Sequence, residues 1–137
     1  MPKDASVKEY MSANVVTFTP VMDIQQAINQ LIKKRISGAP VVDRTGNVVG
    51  MLTERDCMKI ALSSSYYGES AGKVAEYMHP VPKTIEADAS IIEVASMFLQ
   101  EGHRRYPVME DNRLVGQISR HDVLKALEKL WSGCPNC

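Results

Sequence analysis

Two short stretches place a hydroxyl three residues ahead of a carboxylate: Thr53-Glu54-Arg55-Asp56 and Ser119-Arg120-His121-Asp122, preceded by Gly50-Met51-Leu52 and Gly116-Gln117-Ile118. At the start of a helix this spacing makes a reciprocal cap. The hydroxyl accepts the N–H three residues on and the carboxylate bonds back to the cap, for about 1 kcal/mol of helix stability. The same groups can also do recognition chemistry. A helix N-terminus with free N–H groups and a hydroxyl attracts an anion, and a carboxylate one turn on can accept both hydroxyls of a ribose diol. Spacing alone favours the cap, because such pairs are abundant.

Cys134-Pro135-Asn136-Cys137 is the other reactive arrangement, since two thiols at this spacing can share a metal or form a disulfide. It supplies two of the four ligands a structural zinc needs, and Cys57, His79, His103 and His121 have no companion spacing. Cys134 and Cys137 are thus a weak metal or redox candidate on a tail at 132–137. No Gly-x-Ser-x-Gly elbow, P-loop lysine or His-Glu-x-x-His occurs, so no catalytic residue is assigned and the chain is not read as an enzyme.

The elements that must position these groups are written twice. With an offset of 67, Val7-Lys8-Glu9-Tyr10-Met11 falls on Val74-Ala75-Glu76-Tyr77-Met78, Ile24 on Ile91 and Pro40-Val41 on Pro107-Val108. Beyond Gly46 the offset becomes 66, and Val49-Gly50 meets Val115-Gly116, Asp56 meets Asp122 and Cys57 meets Val123, a core position. Each copy reads strand, helix, strand, strand, helix. The pattern predicts an α/β fold of two βαββα units packed about a pseudo-twofold axis. The first helices carry apolar stripes, Ile24, Ala27, Ile28, Leu31, Ile32 and Ile91, Val94, Ala95, Phe98, Leu99, read as core faces. Asp23 and Ser90 are expected to cap them, with Gln26 and Glu93 as reciprocal partners, and Gly38 and Gly102 to end them. Pro40 and Pro107 predict that their strands begin or edge a sheet. A polar connector, Ser63 to Gly72, divides repeat 1 with its connector, 1–70, from repeat 2, 71–131. Met11, Met51, Met58, Met78, Met97 and Met109 read as adaptable core or interface filler.

Composition sets the outer bounds. The 137 residues balance 16 Lys+Arg against 16 Asp+Glu, which gives no sequence-wide attraction for nucleic acid or an acidic membrane. No apolar stretch approaches the roughly 20 residues of a membrane span. The opening MPKDASVKEY lacks the apolar core of a signal peptide, and the three cysteines are odd in number, so the expected compartment is the cytoplasm.

The run from Ile36-Ser37-Gly38-Ala39-Pro40-Val41-Val42-Asp43 to Val48-Val49-Gly50-Met51-Leu52-Thr53-Glu54-Arg55-Asp56 resembles the cystathionine-β-synthase (CBS) domain. Arg104-Arg105-Tyr106-Pro107-Val108-Met109-Glu110, continuing to Leu114-Val115-Gly116-Gln117-Ile118-Ser119-Arg120-His121-Asp122, looks like its second copy. The doubled arrangement matches the family's tandem unit, the Bateman module. The resemblance implies a regulatory module that needs no cofactor and binds an adenine nucleotide, AMP, ADP or ATP, in the cleft between the copies. Asp56 and Asp122 would hold ribose hydroxyls, with Thr53 and Ser119 near ribose or phosphate. Val16, Thr17, Ile36, Ser37, Gly38, Ala39 and Pro40 would surround one adenine, and Lys83, Thr84, His103, Arg104, Arg105, Tyr106 and Pro107 the other. Only Arg55 adds charge at the first site, whereas Lys83, His103, Arg104, Arg105, Arg120 and His121 surround the second, which is therefore expected to take the more highly charged end of a nucleotide. The resemblance also implies a homodimer paired through helices and an effector protein. A ligand-free interaction module, or a thiol or zinc protein using the C-terminal CxxC, are the alternatives.

Overall fold

The computed structural model describes residues 5–63, 72–81 and 83–132. The first copy runs α1 (Val7–Tyr10), α2 (Ile24–Lys34), β1 (Gly38–Val42), β2 (Val48–Thr53) and α3 (Glu54–Ser63). The second runs α4 (Val74–Tyr77), β3 (Ile85–Glu86), α5 (Ile91–Glu101), β4 (Arg105–Glu110), β5 (Arg113–Ser119) and α6 (Arg120–Ser132). The α/β class and the doubled plan follow the pattern in the sequence.

The copies in sequence are not the units in space. One compact unit is Val16–Pro82; the other joins Met1–Val15 to Lys83–Cys137. The segment that opens each copy is exchanged. In the first of these units Val74 N–H donates to Met22 O at 2.9 Å, and Val74 packs in a core with Phe18, Ile24, Leu31, Val41 and Leu52. In the other, Val7 N–H donates to Ala89 O at 2.9 Å, and Val7 packs with Ile85, Ile91, Phe98, Tyr106, Val108 and Ile118. Each core is built from aliphatic and aromatic residues at helix and strand spacing, and burying them is the main favourable contribution to folding.

Each hairpin is antiparallel, with Gly38 opposite Thr53 in one and Arg105 opposite Ser119 in the other. Their turns differ in chemistry. Asp43 Oδ1 accepts Thr45 N–H at 2.9 Å, Thr45 Oγ1 at 2.8 Å and Asn47 N–H at 3.0 Å, and these bonds, Thr45's hydroxyl first, hold its carboxyl below the usual range. The second turn places Asp111 and Asn112 at φ 52° and 62°, the left-handed pair a tight two-residue hairpin requires.

Pro107 does not put its strand at an edge, whereas Pro40 stands in an outer strand of a two-stranded sheet. β4 is the middle strand of the sheet β3-β4-β5, and β1, paired with β2, also bridges Phe18 on its other side. Phe18 N–H donates to Pro40 O at 3.0 Å, so the missing Pro40 N–H lies on the Phe18 side. The neighbouring strand is short in both copies. In the first copy that strand is a single bridge, and in the second it is the two residues of β3.

Helix ends also depart from expectation. α2 ends on Arg35 in the left-handed region, and Gly38 belongs to β1, whereas Gly102 does close α5. Ser90 Oγ accepts Glu93 N–H at 3.3 Å, but Asp23 makes no side-chain cap, and its Oδ1 is buried with no hydrogen-bond partner among the described residues. The apolar stripes are wider than the cores they serve. Ile32 and Leu99, at matching positions, are 72% and 88% exposed, and Met58 and Trp131 also face outward.

Candidate functional site

Both hydroxyl–carboxylate pairs sit where the second hairpin strand turns into a helix, and both form the complete reciprocal cap. In the unit Val16–Pro82, Asp56 N–H donates to Thr53 Oγ1 at 3.3 Å, while Thr53 N–H and Thr53 Oγ1 both donate to Asp56 Oδ2 at 2.9 Å. The N–H of Glu54 is taken by Ser37 O at 2.9 Å, which pins the segment ahead of β1 to the helix start. Ser37, Gly38, Thr53 and Asp56 thus form one corner. Ala39 and Pro40 are buried, so they offer a ligand backbone rather than side chain. Val16 and Ile36 are partly buried against the core, and Thr17 and Arg55 are exposed.

Sequence reasoning missed one member of this corner. His79, just after α4, has its Nδ1 2.8 Å from Asp56 Oδ2. A carboxylate only accepts, so the imidazole N–H donates. Asp56 is 5% exposed and is the one buried charged residue among those described. The signal in the sequence was the register of 67, which puts Ser12 and His79 at equivalent places beside the two carboxylates.

The matching corner lies wholly in the other unit. Asp122 N–H donates to Ser119 Oγ at 3.2 Å, and Ser119 N–H and Oγ donate to Asp122 Oδ2 at 2.9 and 3.0 Å. Asp122 is half-buried, and its Oδ1 has no partner among the described residues. Arg120 N–H donates to Arg104 O at 3.3 Å, the counterpart of the Glu54–Ser37 bond.

Arg120 and Lys83, among the six basic residues expected here, bond to neighbouring protein groups. Arg120 donates from Nε to His103 O at 3.0 Å and from Nη2 to Gly102 O at 3.1 Å, which fixes the loop after α5. Lys83 Nζ bonds Glu101 Oε2 at 2.5 Å; Glu101 Oε1 accepts the Tyr106 hydroxyl at 2.9 Å, and the two bonds, Lys83's first, lower the Glu101 carboxyl. Tyr106 is a core residue whose ring lies 4.8 Å from Phe98, with the His103 ring edge-on at 5.6 Å. Arg104, His121 and Thr84 are exposed, Arg105 is half-buried and Pro107 is buried. Gln117, two residues before Ser119 on β5, has Oε1 buried with no hydrogen-bond partner among the described residues.

Among the described residues no group of three His, Cys, Asp or Glu could hold a metal ion, and no helix is long and apolar enough to cross a membrane. Cys134 and Cys137, and most of the connector, lie outside the described residues.

The family model for the CBS domain matches residues 7–63 and again 74–129. The chain belongs to the CBS domain family. Both CBS matches span a hairpin and the corner that follows it. A CBS domain-containing protein of Dictyostelium discoideum is 30% identical, the match covering 94% of this chain and 95% of that one. The uncharacterized protein MJ1225 of Methanocaldococcus jannaschii is also 30% identical over 92% of this chain, which spans only 44% of that relative's length. Among solved structures, the CBS domain pair of protein MJ0100, in complex with 5′-methylthioadenosine and S-adenosyl-L-methionine, aligns with TM-score 0.74 and 27% identity over 96% of this chain and 98% of that one. CBSX2 in complex with AMP aligns with TM-score 0.79 and 23% identity over 92% and 98%, a likeness of fold.

Proposed function

We propose that this CBS pair is a regulatory, non-catalytic module that binds an adenosine-containing ligand of the AMP, ADP or ATP class and signals its occupancy to an effector protein through an interface. The observation that carries this reading is the Ser119–Asp122 corner, where a carboxylate fixed by the backbone and hydroxyl of its own cap keeps one oxygen uncommitted. Such an oxygen suits a ribose hydroxyl. The exposed Arg104 and His121 lie on the loop and helix turn that flank it and suit a phosphate. The adenosine ligands of MJ0100, a relative in fold and sequence, support the ligand class. Binding would act by linkage, through a difference in affinity for two states of the chain. Two copies of the chain would pair through their helices in the cytoplasm.

A thermal-shift series with AMP, ADP, ATP, NAD and S-adenosylmethionine tests this, because a ligand that binds only the folded chain must raise the midpoint. At a hundred times its dissociation constant the stabilisation is about 2.7 kcal/mol. A flat response to all five overturns the reading. The complete capping boxes at both corners favour a second reading, in which these residues only start helices and the module is a ligand-free interaction unit. The flat response would be its signature.

A further inference from the structure

The outward faces of the two helix pairs differ in shape and in charge. Between α5 and α6 lies an apolar groove of about 450 Å³, rimmed by the exposed Leu99 and Leu124. At the matching positions on α2 and α3, Ile32 and Met58 are also exposed, and Leu62 stands on the same helix as Met58 at 89% exposure. One unit offers a recess and the other offers projecting side chains. Charge divides the faces further. α2 carries Lys33 and Lys34, ends on Arg35 and holds no acid, whereas α5 carries Glu93 and Glu101 and no base. Lys33, Lys34, Arg35 and Glu93 are exposed, while Glu101 is bonded to Lys83 and the Tyr106 hydroxyl. On α6, Glu128 falls on one stripe with the exposed Leu124 and Trp131, and Lys125 and Lys129 turn to the side away from the groove-lining Val123 and Leu127. Two copies pairing like face on like would set Lys33, Lys34 and Arg35 against their own duplicates, with no acid on α2 to separate them, and such like-charge juxtaposition costs affinity.

We propose that a second copy of the chain docks head to tail, its Ile32, Met58 and Leu62 entering the α5–α6 groove and its Lys33 and Lys34 facing Glu93 and Glu128. The proposal rests on the pairing of copies given above and adds which faces meet. Every copy carries both faces, so two chains satisfy each other by making the contact twice, and the assembly closes as a dimer instead of running on as a filament. Burial of the apolar side chains supplies the attraction, and the charges set the orientation.

Sedimentation equilibrium of the full chain tests the contact. Lys33→Glu with Lys34→Glu, and separately Glu93→Lys with Glu128→Lys, should each raise the dimer dissociation constant about tenfold or more, because attraction across the contact becomes repulsion. The four substitutions together exchange the charges of the two faces and should return the constant to near the parent's. That recovery would also show that the substitutions, all at exposed positions, leave the fold intact. Like-on-like pairing gives a different pattern, since Glu against Glu repels as Lys against Lys does and the combined variant recovers nothing. Paired substitutions that leave dimerisation as in the parent, or a combined variant no better than either pair, overturn the head-to-tail contact and leave the pairing of copies standing. Growth past the dimer overturns its reciprocal form, and a monomeric parent overturns the pairing and the contact together.

Discussion

At the scale of single residues, the half-buried Cys57 and the buried Tyr106 both contribute to the alkaline side of the stability profile. Burial, helped by the neighbouring Asp56 and Glu54 carboxylates, pushes the Cys57 thiol up to about 11. Burial and the Glu101 acceptor push the Tyr106 hydroxyl up to about 12. In both cases folding favours the protonated form, and the unfolded chain gives up its protons at lower pH. The stability these groups add is complete below pH ~9, shrinks as the unfolded thiol and then the unfolded phenol ionise, and is gone above their folded values. Urea midpoints measured at pH 8, 9, 10 and 10.5 should therefore fall with rising pH, and the Cys57→Ala, Tyr106→Phe double variant should fall less steeply. Parallel profiles for the two chains would contradict the assignment. At neutral pH both groups stay protonated, which agrees with reading Cys57 as packing rather than as a nucleophile.

At the scale of elements, the exchanged segments depend on a glycine in each second hairpin strand. A methyl group on Gly116 would stand 2.6 Å from Met11 Sδ and 2.7 Å from Ser12 O; one on Gly50 would stand 2.6 Å from Met78 Sδ and 3.1 Å from His79 O. The thioether could swing aside, but the carbonyls are backbone and belong to the bridges that seat Ser12 and His79. Gly116→Ala should cost about 1–3 kcal/mol through this overpacking, read as a lower urea midpoint. An unchanged midpoint would show that the close approach is not needed. The elements themselves were legible in the sequence because their causes are local. A 3.6-residue stripe marks α2 and α5, a polar turn marks each hairpin, and a hydroxyl three residues before an aspartate marks the starts of α3 and α6. What was not legible depends on partners distant along the chain. The repeat shows that Val7 and Val74 are equivalent but not which core each enters, and His79 lies 23 residues from the carboxylate it binds. Periodicity likewise marks Ile32 and Leu99 as apolar without telling a core face from an uncovered one.

At the scale of the whole molecule, those uncovered faces bear on assembly. Leu99, Leu124 and Trp131 are exposed on α5 and α6, and a groove of about 450 Å³ lined by Ala95, Phe98, Leu99, Val123, Leu124 and Leu127 lies between these helices. Contiguous exposed apolar surface of this kind marks interaction sites. On the proposed pairing of two copies, sedimentation of the parent should give a dimer and Leu124→Glu should shift it towards monomer; a monomeric parent would rule the pairing out. The exchange of α1 and α4 has another consequence, which concerns timing. Val7 is made before most of the core that buries it, which includes Ile118, Val123 and Ala126. At 5–20 residues per second the ribosome takes roughly 6–25 s to supply them. Val16–Pro82 contains its own α4 and can close while the remainder is still being made. Helix α1 is thus made ahead of α2 to α4 yet takes its place only after them.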